Sequence, residues 1–374
     1  MSRRSSRAAG IAVAALLFAG IGCVLLRDAE SPADPPIVED RPHGTIEVAP
    51  AAATVEKAPP ARPALSPAAS RGLRWLSEKQ GSHGGFGQND GEEPDVANTA
   101  IAAIALVRAG STPSSGPHRE AVARAVEFVR SSVAASPDET PFVTERRGTQ
   151  PQSKVGPYVD TSLSCLLLGE VDGKMPDEAS QALVREALEK CVKKLESLQS
   201  ADGSFNQGGW APVLGSSFAY QALQAADGKG VAVDGERLAK AQEYFVGLSE
   251  PRTGLDVADS AGVQLYAASS AGMAAASGPE PKSSPVLARV ANDLTNPEVL
   301  RGFGSMGGEE FVSFMMASTT LKTANEDGAV QWNARIREQL SGLQNADGSW
   351  AGHHCITGRV FCTAAAILTL LEAQ

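Results

Sequence analysis

The chain has 374 residues, 43% hydrophobic and 20% charged, yet only four Trp and four Tyr, so a large core must be filled mainly by small aliphatic side chains. Its formal net charge is -10, and no cluster of Lys and Arg offers a polyanion the counter-charge it needs, which removes nucleic acid from the expected partners.

Arg3, Arg4 and Arg7 precede an uncharged run from Ala8 to Leu26, the order of a signal peptide or signal anchor. Those 19 residues reach the lower length for crossing hydrocarbon at about 1.5 Å per residue, so residues 1–26 are expected to be cleaved or kept as an anchor. Gly20-Ile21-Gly22-Cys23 resembles a lipoprotein cleavage box, although Gly20 replaces the usual larger aliphatic residue and apolar Val24 to Leu26 follow the cysteine. Ser2-Arg3-Arg4 resembles a twin-arginine signal, but Ser5, Ser6 and Arg7 replace the apolar residues expected after it. Export to the cell envelope is the common expectation, with the membrane met through this segment. Residues 27–66 are rich in Pro, Ala, Glu and Asp without helical or strand periodicity, which predicts a disordered linker. After export, Cys165, Cys191, Cys355 and Cys362 would meet an oxidising compartment, so disulfides and buried free thiols both remain open.

From residue 67 onward the chain repeats. Gln80 to Phe86, Gln199 to Phe205 and Gln344 to Trp350 share one offset, and each follows an amphipathic stretch. Between these turns two kinds of helix alternate. Val122, Val126 and Val129 lie among Arg119, Glu120, Arg124 and Glu127; Val184, Leu188, Val192 and Leu195 lie among Glu186, Glu189, Lys190, Lys193 and Lys194. Each of these stretches has one wet face and reads as an outer helix. The runs 95–109, 158–169, 216–226, 259–276, 310–323 and 356–372 are apolar around most of their circumference and read as inner helices. Six hairpins over 67–374 take about 51 residues each. A hairpin cannot bury its apolar faces alone, so closure into an all-α (α/α)6 toroid is expected, with an open solenoid as the alternative.

Arg71, Gly72, Trp75, Leu76, Gln80, Gly85 and Phe86 resemble the QW-type repeat of squalene and hopene cyclases. Asp347-Gly348-Ser349-Trp350 with Gly358 to Leu371 is similar to the last repeat of terpenoid cyclases and prenyltransferase β-subunits. The resemblance implies that each turn Gln and aromatic ties neighbouring hairpins together. It also implies chemistry that the residues do not supply. The cyclases' Asp-rich acid motif is missing, Asp256-Val257-Ala258-Asp259 having the wrong spacing, and so is the prenyltransferases' Asp-x-Cys zinc motif. An apolar isoprenoid or peptide ligand, or a protein partner, held in or around the ring is therefore the leading expectation. An active enzyme of the same superfamily with a non-standard metal site is the alternative. A carbohydrate-active (α/α)6 barrel is a third, with Asp160 and Glu310 as its acids.

The N-termini of inner helices open at one end of a toroid, so Asp95, Asn98, Tyr158, Asp160, Ser216, Asp259, Glu309, Glu310, His353, His354 and Arg359 are candidates to converge there. Asp95, Asp160 and Asp259 also read as helix caps. Glu309, Glu310, Asp160, Asp259, His353, His354 and Arg359 are the candidate ligand-binding residues. His353, His354 and Cys355, beside the two glutamates, are the candidate metal ligands. No cofactor is required by this reading, but His, Cys and carboxylate together suit zinc. A competing expectation pairs Arg359 with Glu309 or Glu310 as a buried ion pair.

Overall fold

The structure is a computed structural model that describes residues 64–205, 208–248, 260–278, 281, 284–324 and 326–373. Residues 1–26, most of the 27–66 segment and Asp259 lie outside them. Helices follow one another through the described chain: α1 (Pro67–Glu78), α2 (Val96–Arg108), α3 (Arg119–Ala135), α4 (Gln150–Lys154), α5 (Val159–Val171), α6 (Glu178–Leu198), α7 (Pro212–Asp227), α8 (Gly235–Leu248), α9 (Gln264–Ala276), α10 (Pro285–Asp293), α11 (Pro297–Leu300), α12 (Gly308–Ala324), α13 (Glu326–Leu343) and α14 (Arg359–Glu372). No strand pairs with another among the described residues; one isolated bridge joins Phe86 to Asp95.

Sequence composition decides which helix goes inside. On α2 every residue from Val96 to Val107 is buried, and on α12 the buried run is Gly308 to Ser318, so these helices meet protein on all sides. On α6 only the Val184, Leu188, Val192 and Leu195 stripe and its neighbours go inward. The inner helices contact one another in the order α2, α5, α7, α9, α12, α14, and α14 returns to α2, so the ring closes. Helices α1, α3, α6, α8, α10 and α13 each pack outside a pair of inner helices. The expected toroid of six hairpins is thus present, and the open solenoid is not.

The repeated turns hold the outer ring together. Gln80 Nε2 donates to Gly84 O in its own turn and to Ala121 O in the first turn of α3, both at 2.8 Å. Gln199 Nε2 donates to Gly203 O at 3.2 Å and to Arg237 O of α8 at 2.7 Å. Gln344 Nε2 donates to Gly348 O at 2.8 Å and to Ala68 O of α1 at 2.9 Å, which joins the last hairpin to the first. Each amide therefore satisfies one loop carbonyl and one carbonyl of the following outer helix. The aromatic six residues on is buried in each case, and its backbone N–H donates to a hydroxyl of the inner helix: Phe86 to Thr99, Phe205 to Ser216 and Trp350 to Thr363. Gly203 sits at φ +90, where a Cβ would lie 2.1 Å from Lys240 O, so the turn can only approach α8 with glycine there.

Cys165, Cys191, Cys355 and Cys362 are all free thiols. Among the described residues no helix is long and apolar enough to cross a membrane; the run from Ala8 to Leu26 lies outside them.

Candidate functional site

Three neighbouring inner elements begin at one end of the ring: α9 with Tyr266, α12 with Glu309 and Glu310, and the loop 351–358 that leads into α14. Gly308 N donates to Ile356 O at 2.9 Å and His353 N donates to Met306 O at 2.7 Å, so that loop is sewn to the start of α12.

Glu310 is fully buried and organises the cluster. Its Oε1 accepts from Tyr266 Oη at 2.5 Å and from Phe303 N at 3.2 Å. Its Oε2 accepts from Gly307 N at 2.8 Å and lies 3.1 Å from His354 Nε2. Three donors and one imidazole nitrogen thus surround its two oxygens. His354 Nε2 also lies 3.0 Å from Ser305 O. Two oxygens beside Nε2 call for a proton on that nitrogen. Nδ1 is buried and has no hydrogen-bond partner.

Glu309, also fully buried, accepts from Ile356 N at 3.3 Å through Oε2, while Oε1 is buried and has no partner. Burial, helped by the adjacent Glu310 charge, pushes its carboxyl pKa up. Cys355 holds φ +52, a left-handed conformation that costs a non-glycine residue roughly 1–3 kcal/mol and is kept only where its surroundings impose it. Burial, then the nearby Glu309 charge, push its thiol up to about 11.

One ligand atom each from Glu309, His354 and Cys355 lies within 4.8 Å of the others. The centre of an equilateral triangle of that side is about 2.8 Å from each corner, against zinc bonds of about 2.0–2.3 Å, so a contraction of roughly 0.5–0.8 Å per ligand would seat the ion. A carboxylate and a backbone carbonyl lie beside His354 Nε2, the partners that a histidine ligating through Nδ1 would use.

The other candidates go elsewhere. His353, adjacent in sequence, is exposed and stays out of the cluster. Arg359 does not meet Glu309 or Glu310. It begins α14 and turns back to the preceding turn, pairing with Asp347, donating through Nε to Ser349 Oγ at 3.0 Å and lying 4.9 Å over the Trp75 ring. The buried Arg–Glu pair is therefore absent, because both glutamates have polar partners of their own and Asp347 sits within reach of Arg359. Asp95 caps α2 through Asn98 N at 2.8 Å. Asp160 does not cap its own helix; it accepts from Ala97 N of α2 at 3.0 Å and from Gln152 Nε2 at 2.8 Å. Burial, opposed by the Gln152 bond and assisted by the Asp95 charge, raises its pKa to about 6. Asp160 and Glu310 are both buried with every oxygen engaged, and they sit on helices separated by two others in the ring order. Tyr158 is half-buried against Phe142, with ring centroids 4.8 Å apart, and Ser216 serves the Phe205 turn.

The sequence carries little to single out Tyr266 or Phe303. Tyr266 reads as one more residue of an apolar helix, and Phe303 lies in a loop 51 positions before His354. A lone tyrosine in the first turn of a Ser/Ala-rich inner helix is the one signal available for the former.

No family model matches the chain, and no curated protein matches it in sequence. Among solved structures it is similar to the apo type II terpene cyclase MstE from Scytonema, with a TM-score of 0.52 and 12% identity over 82% of this chain and 97% of that one. The fold is thus that of a terpenoid cyclase-like α/α toroid. At this identity the likeness is one of fold.

Proposed function

We propose that this chain is an exported or membrane-anchored toroid that binds a zinc-class divalent ion through Glu309, His354 and Cys355, and uses that end of the ring to hold an apolar ligand or partner. The observation that carries the reading is the convergence of one ligand atom each from Glu309, His354 and Cys355, in a cluster where Glu309 Oε1 and His354 Nδ1 are buried without hydrogen-bond partners. Buried polar atoms cost about 1–3 kcal/mol each when unpaired, and an ion held through these two would satisfy both at once. The set is borderline-soft, one sulfur, one imidazole and one carboxylate, which favours zinc over magnesium or calcium. Three protein ligands leave a fourth position open, as in catalytic rather than structural zinc sites. Triterpene cyclisation and protein prenylation are not part of the proposal, since the acid motif of the first and the Asp-x-Cys of the second are missing from the sequence.

Metal analysis of the purified full-length chain tests the reading. One ion per chain, with at least tenfold weaker uptake in Cys355→Ser and in His354→Ala, is the expected result; metal-free protein after zinc incubation would overturn it. Export rests on Arg3 to Leu26 alone and is tested separately, by whether deleting residues 1–26 leaves the protein in the cytoplasm.

A further inference from the structure

The approach to the metal ligands is aromatic. Glu309 is fully buried behind the cluster, whereas His354 and Cys355 are partly exposed, so an added ligand must arrive past the latter two. On that side Phe303 packs on His354 with ring centroids 4.7 Å apart, and meets Trp210 edge-on at 5.7 Å. Trp210 meets Tyr266 edge-on at 6.4 Å. Phe303 is 53% exposed and is the one aromatic among the exposed large hydrophobic residues of the described chain. Its loop is not loose, because Glu310 accepts from both Phe303 N and Gly307 N. One carboxylate therefore sets the metal-ligating histidine and the aromatic rim together. Lys154 Nζ lies 5.8 Å from the centroid of the Trp210 ring, and its charge acts on Cys355.

The charges decide what the rim can receive. A divalent ion with thiolate and Glu309 sums to zero, and Glu310 and Lys154 offset one another. No net positive charge remains for a diphosphate or another anion. Phe303 and Trp210 offer an apolar surface, and the open coordination position takes an oxygen donor. Resting on the metal reading above, we propose that the site binds neutral carbonyl compounds, amides or esters, that carry an aromatic or long apolar group. The carbonyl oxygen takes the fourth metal position, and the apolar group packs on Phe303 and Trp210.

The test uses the full-length chain loaded with cobalt(II), whose visible absorption reports changes in its ligands, and three probes: N-acetyl-phenylalanine amide, the free acid N-acetyl-phenylalanine, and acetamide. The amide of phenylalanine is expected to change the cobalt spectrum and to bind at least about tenfold more tightly than acetamide, the size of a 1.4 kcal/mol aromatic contribution. Trp210→Ala is expected to bind it about tenfold more weakly, with one cobalt per chain as the check that the variant has folded. Phe303→Leu provides a second, milder variant expected to weaken the same probe. A cobalt spectrum unchanged by the aromatic amide overturns the inference while leaving the metal reading intact. Equal or tighter binding of the free acid overturns the neutral-ligand argument. Failure to take up cobalt overturns both.

Discussion

Arg359 shows how a residue's neighbours in space, rather than its hydrophobic setting in sequence, fix its role. An arginine opening an apolar helix needs an acidic partner, and the sequence offered Glu309 and Glu310; the turn just upstream offered Asp347, and it won. Because this pair is half-exposed, Arg359→Met should cost only about 1 kcal/mol, the sum of a surface ion pair and an exposed cation–π contact, by urea unfolding. A loss of 3 kcal/mol or more would place the arginine on a buried carboxylate. His353-His354-Cys355 was legible as a run of candidate ligands, but consecutive side chains diverge, and the left-handed Cys355 decides which two turn toward Glu309. That backbone choice leaves no mark in the sequence. Asp160 supplies a pH prediction. Its folded pKa near 6 lies above the ordinary carboxylate value of about 3.9, so the folded state prefers the proton. Its contribution to stability is full below about pH 4 and is lost as pH rises through 6, by up to about 3 kcal/mol. Asp160→Asn should therefore gain on the parent protein between pH 4 and pH 6.5 in denaturant titrations. A difference between the two that does not change with pH would contradict this.

Helices were legible wherever hydrophobic runs were long, and their starts less evenly. Asp95 marks the start of α2 because its carboxylate accepts from Asn98 N. Helices α7, α9 and α14 begin after Ala211, Val263 and Gly358, none of which makes a side-chain cap bond, and their starts were misplaced by several residues. The turn repeat was readable because its glutamine, glycine and aromatic all face one geometric demand; the hydroxyls of Thr99, Ser216 and Thr363 that complete it look like ordinary helix residues. Trp350 is fully buried and donates through Nε1 to Leu340 O at 2.7 Å, so Trp350→Ala should destabilise by about 3–5 kcal/mol. An unchanged melting midpoint would remove its structural role. Gly203→Ala should cost about 2 kcal/mol or more, since it combines left-handed strain with the Lys240 carbonyl contact. Gly91, at φ +74 with nothing within 4 Å, is the matched control, and its alanine variant should lose only about 1 kcal/mol. Equal losses at the two sites would show that the close approach to α8 carries no cost.

At the scale of the whole ring, closure makes each hairpin's apolar face another's partner, and the Gln344 bond to Ala68 joins positions 276 residues apart. Gln344→Ala should therefore cost about 1–2 kcal/mol through its two backbone acceptors, without splitting the unfolding transition in two. A second transition would show that the first and last hairpins part independently. The toroid follows from repetition and closure, which sequence periodicity records, whereas the site depends on three chain segments meeting at one end of the ring. The central claim is that this meeting point holds a metal ion. X-ray absorption at the zinc edge of the zinc-loaded chain tests it most directly: one sulfur at about 2.3 Å with nitrogen and oxygen at about 2.0–2.2 Å is the expected shell, the sulfur disappearing in Cys355→Ser. A zinc shell without sulfur in the parent protein, or one unchanged by Cys355→Ser, would contradict the account.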